Sequence, residues 1–68
     1  MKNKVKVYRA MHDFTQQDLA DKIQVSRQTI NSIEKGKYIP SALLALKMAS
    51  IFNAPVLDLF EIESSDWE

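Results

Sequence analysis

Between Ser26 and Ser32 the chain reads SRQTINS, and Arg27, Gln28, Thr29 and Asn31 carry groups that can read a flat, edge-on partner. Glutamine or asparagine can pair bidentately with adenine, arginine with guanine, and the threonine methyl can rest on that of thymine. A helix face that merely meets water more often carries Glu and Lys. The pattern therefore predicts contact with base edges in duplex DNA. No catalytic grouping competes with it. There is no Ser/His/Asp or Cys/His set, no phosphate loop and no acids converging on a pocket. With one histidine and no cysteine, no metal site, cofactor or small-molecule ligand is expected either.

Two short helices must position these side chains. Thr15 is suited to N-cap the first, with Asp18 three residues on supplying a first-turn carboxylate, a shortened capping box. Leu19, Ala20 and Ile23 then share one face, while Gln17, Asp21 and Lys22 face water. After a break at Gln24-Val25, Ser26 caps a second helix that turns Ile30 and Ile33 inward and ends before Gly36, which fits the left-handed C′ position. Helices joined by about three residues cross steeply, so the residue at the crossing must be small, and Ala20 meets that need. Val25 can plug the angle.

The combination TQ-x2-LA-x5-S-R-Q-T-I-x2-I-E-x-G-K resembles the helix-turn-helix of the Cro and phage-repressor family, the xenobiotic-response-element type. It rests on Gln16, Ala20, Val25, Ser26, Arg27, Gln28, Ile30, Ile33 and Glu34-Lys35-Gly36-Lys37, and with the flanking helices it covers residues 4 to about 60. The departure is Gln24, where the family usually has glycine in a left-handed turn, which implies a cost of about 1 kcal/mol for glutamine. The resemblance implies an all-α, five-helix repressor-like domain with its helix-turn-helix at 16–35. It also implies a short two-stranded pairing of the N-terminus with residues 60–63. Arg27 and Gln28 become the leading base readers, followed by Thr29 and Asn31, because the start of the recognition helix reaches deepest into the major groove. Gln16, Ser26, Ser32, Lys35, Lys37 and Tyr38 become backbone contacts. Arg9 and Glu34 correspond to a structural salt bridge between the first and third helices.

At 68 residues and 46% hydrophobic, the chain is one domain, 1–68, and marginal as a monomer. With no disulfide or zinc available, oligomerisation is the remaining aid. By resemblance to the small dimeric regulators, Ile39, Val56, Leu59 and Ile62 form a homodimer interface; the alternative assigns some of them to the core. There is no apolar leader and no membrane-length apolar run, so a soluble cytoplasmic protein is expected.

Net charge is zero, but its distribution is uneven. Residues 1–57 hold all nine Lys and Arg against four acids, a net of +5, while residues 58–68 hold five acids and no base. Positive charge thus surrounds the motif, and the acidic tail at 61–68 should point away from DNA.

Outside the motif, a first helix is expected from Lys4 to about His12, burying Val5, Tyr8 or the stem of Arg9, and Met11. Ser41 caps a fourth helix, Ala42 to Phe52, with Leu43, Leu46, Ala49 and Ile51 or Phe52 as its apolar face. Pro55 fits N1 of a fifth, 56–60, with Leu57 and Phe60 inward. Residues 64–68 read as a frayed end, and lone His12 as a surface residue.

The leading functional expectation is a sequence-specific DNA-binding regulator, a repressor acting as a homodimer on a pseudo-palindromic operator. An antitoxin or restriction-modification controller would share the motif. A protein-interaction module without DNA binding would show an eroded recognition face, and an enzyme lacks the necessary groups.

Overall fold

The computed structural model describes residues 1–68. Five helices follow in order: α1 (Val5–Met11), α2 (Gln16–Ile23), α3 (Arg27–Glu34), α4 (Ala42–Phe52) and α5 (Val56–Leu59). A two-stranded antiparallel pairing joins β1 (Lys2–Asn3) to β2 (Phe60–Glu61), with Lys2 opposite Glu61 and Asn3 opposite Phe60. The fold is therefore all-α with one small terminal sheet, shorter on the C-terminal side than residues 60–63.

Local chemistry sets the helix ends. The Thr15 hydroxyl accepts from the Asp18 N–H, and the Asp18 carboxylate accepts from the Thr15 N–H, closing a capping box on α2. That backbone hydrogen bond holds the Asp18 carboxyl below its ordinary value. Its help to α2 is therefore complete at neutral pH and disappears only as pH falls through the lowered value. The Ser26 and Ser41 hydroxyls accept the Thr29 and Leu44 N–H groups at the starts of α3 and α4, without a reciprocal carboxylate. Asp13, Gln24, Asn53 and Gly36 all take left-handed backbone angles where a helix closes. After α3, Gly36 N–H reaches the Ile33 carbonyl and Lys37 N–H the Ser32 carbonyl, a Schellman closure.

At Gln24 (φ 62°) that conformation costs a residue with a side chain about 1–2 kcal/mol. Glycine would relieve this strain, less about 0.4–1 kcal/mol for its freer unfolded chain. Gln24→Gly is therefore expected to raise the melting temperature by about 2–6 °C. A lower melting temperature would show that the glutamine side chain contributes more than its backbone costs.

Beneath the surface, Val5, Leu19, Ala20, Ile23, Ile30, Ile33, Leu44, Met48, Phe52, Leu59 and Phe60 form one core, with no buried polar residue among them. Ala20 is fully enclosed, and Val25 packs half-buried against this core.

Several sequence expectations shift by one helical position. On α1, Val5 is buried and Tyr8 half-buried, but Met11 is exposed, since six residues at roughly 100° each carry it off that stripe. On α4, Leu44, Met48 and Phe52 face inward, while Leu43 and Leu46 face out. This helix is apolar nearly all round, so periodicity left its rotation open. The Phe52 ring settles it by meeting Tyr8, His12 and Phe14 at centroid distances of 5.8, 5.4 and 6.2 Å.

In α5, Leu59 is fully buried and Leu57 is 75% exposed, the reverse of expectation. Leu59 is drawn in because its carbonyl accepts the Lys4 N–H at 2.8 Å and the chain turns extended at Phe60. It is therefore a core residue and is withdrawn from the interface set. Pro55 lies outside the helix as its N-cap, not at N1. Nor is the end frayed: Ser64–Trp67 form a 3-10 turn, and the Met1 ammonium lies 3.0 Å from Glu63 and 3.1 Å from Asp66.

Candidate nucleic-acid interface

The ridge expected to read DNA lies on the outer side of α3. Ile30 and Ile33 turn into the core. Ser26, Arg27 and Gln28 are exposed, and Thr29, Asn31 and Ser32 are half-exposed. Their placement follows from α2 and α3 packing closely across the short turn, which aims the start of α3 outward. The Ser26 hydroxyl accepts from the Thr29 N–H at 3.1 Å and lies 2.9 Å from the Thr29 hydroxyl. Both hydroxyls are thus engaged at the helix start.

Two shallow recesses flank the ridge. One is lined by Gln16, Arg27, Gln28 and Asn31. The other, lined by Ser26, Gln28, Thr29, Ser32, Lys37 and Tyr38, brings the turn after α3 alongside the helix. Lys37 and Tyr38 are exposed there, whereas Lys35, also exposed, borders a separate recess with Lys2, Asn3 and Glu34. Gln28 borders both recesses, so it stands at the middle of the surface.

Arg9 fixes α3 from behind. Its Nε and Nη2 donate to the Glu34 carboxylate at 2.8 and 3.3 Å, and its Nη1 donates to the Phe14 carbonyl at 2.9 Å. One guanidinium thus ties α1, the turn before α2 and the end of α3. The side chain of Gln16 joins the same group, its Nε2 donating to Glu34 Oε1 at 3.1 Å and to Asn31 Oδ1 at 3.3 Å.

One positioning residue was missed in the sequence. Asn3 donates from Nδ2 to the Ile33 carbonyl at 2.8 Å, while its Oδ1 accepts from the Val5 N–H at 3.2 Å. It anchors the last turn of α3 to the N-terminal strand. The only sequence signal was an asparagine just ahead of a helix start, too common to single out.

Comparison with known proteins gives a consistent result. A family model described as helix-turn-helix matches residues 5–59. The chain is 56% identical over 66 residues to an uncharacterized HTH-type transcriptional regulator of Methanocaldococcus jannaschii, covering 97% of this chain and all of that one. It is 46% identical, with the same two coverages, to an uncharacterized HTH-type transcriptional regulator of Bacillus subtilis. Among solved structures, the SOS-response transcriptional repressor LexA from Eubacterium rectale superposes with a TM-score of 0.78 at 35% identity. That match covers 88% of this chain and 64% of the LexA chain.

Proposed function

The chain belongs to the helix-turn-helix family of DNA-binding transcriptional regulators, a family without enzymatic activity, and we propose that it represses transcription by binding a pseudo-palindromic operator as a homodimer. The observation that carries the reading is the exposed start of α3, where Arg27 and Gln28 stand free of the core. Inserted in the major groove, these two side chains read bases, with Thr29 and Asn31 next to them. Ser26, Ser32, Lys35, Lys37 and Tyr38 meet the sugar-phosphate backbone on either side. Repression needs only that binding occlude a promoter, and the solved relative at 35% identity is itself named a transcriptional repressor. Work on chromosomal DNA goes with a cytoplasmic location, and no helix is long and apolar enough to cross a membrane.

The homodimer rests on apolar side chains that the monomer leaves uncovered. Ile39, Leu57 and Ile62 are exposed, and Val56, next to Leu57, is half-buried. A two-fold axis through this surface sets two recognition helices about 34 Å apart, one turn of B-DNA. Leu57→Glu is expected to yield monomers by sedimentation and to weaken operator binding, with little change in helix content. An unchanged dimer in that variant would move the interface elsewhere.

Selection of duplexes from a random pool tests the whole reading. Enriched sequences are expected to carry two inverted half-sites with centres about 10–10.5 base pairs apart. A single unrepeated site would exclude the symmetric dimer, and no enrichment would exclude sequence-specific binding.

A further inference from the structure

We infer that the acidic tail is a built-in brake on DNA affinity, in which Glu63 opposes the phosphate that Lys35 attracts. The inference rests on the DNA-binding reading above and on Lys35 as one of its backbone contacts.

The tail does not extend away from the basic part of the chain, as its charge alone suggested. It folds back through a series of contacts that ends at α3. Asn3 ties β1 to the last turn of α3 through the Ile33 carbonyl at 2.8 Å. The pairing of β1 with β2 sets Glu61 opposite Lys2, and side chains so placed stand about 5 Å apart on one face. Beyond β2, the Glu63 N–H donates to the Asp66 carboxylate at 2.8 Å and closes the turn Ser64–Trp67. Both carboxylates meet the Met1 ammonium, Glu63 at 3.0 Å and Asp66 at 3.1 Å. These contacts, Glu63 first, hold the ammonium above its ordinary pKa, so the clasp stays charged at neutral pH.

Three tail acids thus meet only two cations, the Met1 ammonium and Lys2, and one negative charge is left over. That excess lies where a phosphate has to approach. A recess of about 480 Å³ is lined by Glu63 and Lys35 together with Met1, Lys2 and Asn3. Walls around a space of that size stand within roughly 10 Å of one another, about one Debye length in dilute salt. Glu34 borders the same recess but is already neutralised by Arg9. Lys35 is exposed at the C-terminal end of α3, and Arg27 and Gln28 stand at its other end. A phosphate at Lys35 is therefore repelled by Glu63, while the base readers lie about 12 Å further along the helix, where salt screens that charge. The tail lowers attraction to the DNA backbone and leaves base preference alone.

The test titrates the selected operator and a scrambled duplex at low salt with the full chain, Glu63→Gln, Lys35→Gln and the double variant. Glu63→Gln is expected to tighten both duplexes about two- to fivefold per bound subunit, the effect of one charge about 10 Å away. The gain is expected to shrink as salt is added. Lys35→Gln is expected to weaken both duplexes, and to abolish the gain when combined with Glu63→Gln. An undiminished gain in the double variant would overturn the inference, because net charge alone then explains it. So would unchanged affinity in Glu63→Gln, or a gain confined to the operator. Glutamine in place of Glu63 still accepts the Asp66 N–H, so the turn is kept. Glu63→Asp separates charge from packing, since it shortens the reach to Met1 and keeps the charge. It is expected to bind like the unaltered protein, and a gain equal to that of Glu63→Gln would assign the effect to a loosened strand and sink the brake. If the unaltered protein holds neither duplex, the DNA-binding reading itself has failed. Salt-sensitive binding that Glu63→Gln leaves unchanged removes the brake alone.

Discussion

Replacing Arg27 and Gln28 together with alanine is expected to abolish specific operator binding while the protein stays folded. Both side chains are exposed at the start of α3, and neither makes a hydrogen bond within the molecule. The change therefore leaves the core and the Ser26 cap intact, and alanine suits a helix at least as well as the residues it replaces. In the groove, each bidentate base contact is worth about 1–3 kcal/mol of discrimination. Without both pairings, each subunit's specific affinity falls by on the order of 10²–10⁴-fold per half-site. Weak, salt-sensitive binding to any duplex should persist, because the lysines that supply it remain. Titrating the selected operator and a scrambled duplex side by side measures the difference, and a thermal melt checks the fold. Retained preference for the operator would show that the bases are read elsewhere.

The second large effect concerns stability. Arg9→Met is expected to unfold most of the protein at room temperature, whereas Arg9→Met with Glu34→Leu is expected to fold. Side-chain exposure is 16% for Arg9 and 6% for Glu34, so this pair is largely withdrawn from water. Removing one member of such a pair costs about 3–5 kcal/mol, chiefly because the other charge is stranded. A domain this small has only about 3–5 kcal/mol to lose. Replacing both members by apolar side chains removes the stranded charge, and such exchanges are often neutral or stabilising. The Phe14 carbonyl loses its Arg9 partner in both variants, so that cost cancels in the comparison. Urea titrations followed by circular dichroism separate the cases. Equal destabilisation by the single and double changes would show that Arg9 acts through the packing of its stem instead of its charge.

The parts of the fold legible in the sequence were those decided within a few residues. Thr15, Ser26 and Ser41 announce helix starts because their oxygens can meet an N–H in the following turn. Gly36 announces the end of α3 because it tolerates the left-handed backbone angle found there. Ile30 and Ile33, three apart on an otherwise polar helix, fixed the rotation of α3 and so the outward position of Arg27 and Gln28. On α4 the same reasoning had no purchase, since apolar residues encircle the helix and several rotations bury similar area.

Sequence by itself therefore determined the helix-turn-helix, the residues its outer face presents and the concentration of positive charge around them. Those depend on spacing along the chain, and a helix converts spacing into direction with little help. Tertiary structure alone decided that Leu59 lies in the core while Leu57 meets solvent, since that choice depends on where Lys4 and the terminal strands come to lie. It also brought the Gln16 amide nitrogen within hydrogen-bond reach of both Glu34 Oε1 and Asn31 Oδ1. Residues 9, 16, 31 and 34 share no local pattern, and the polarity of their hydrogen bonds exists only once packing has brought a donor-only and an acceptor-only group together.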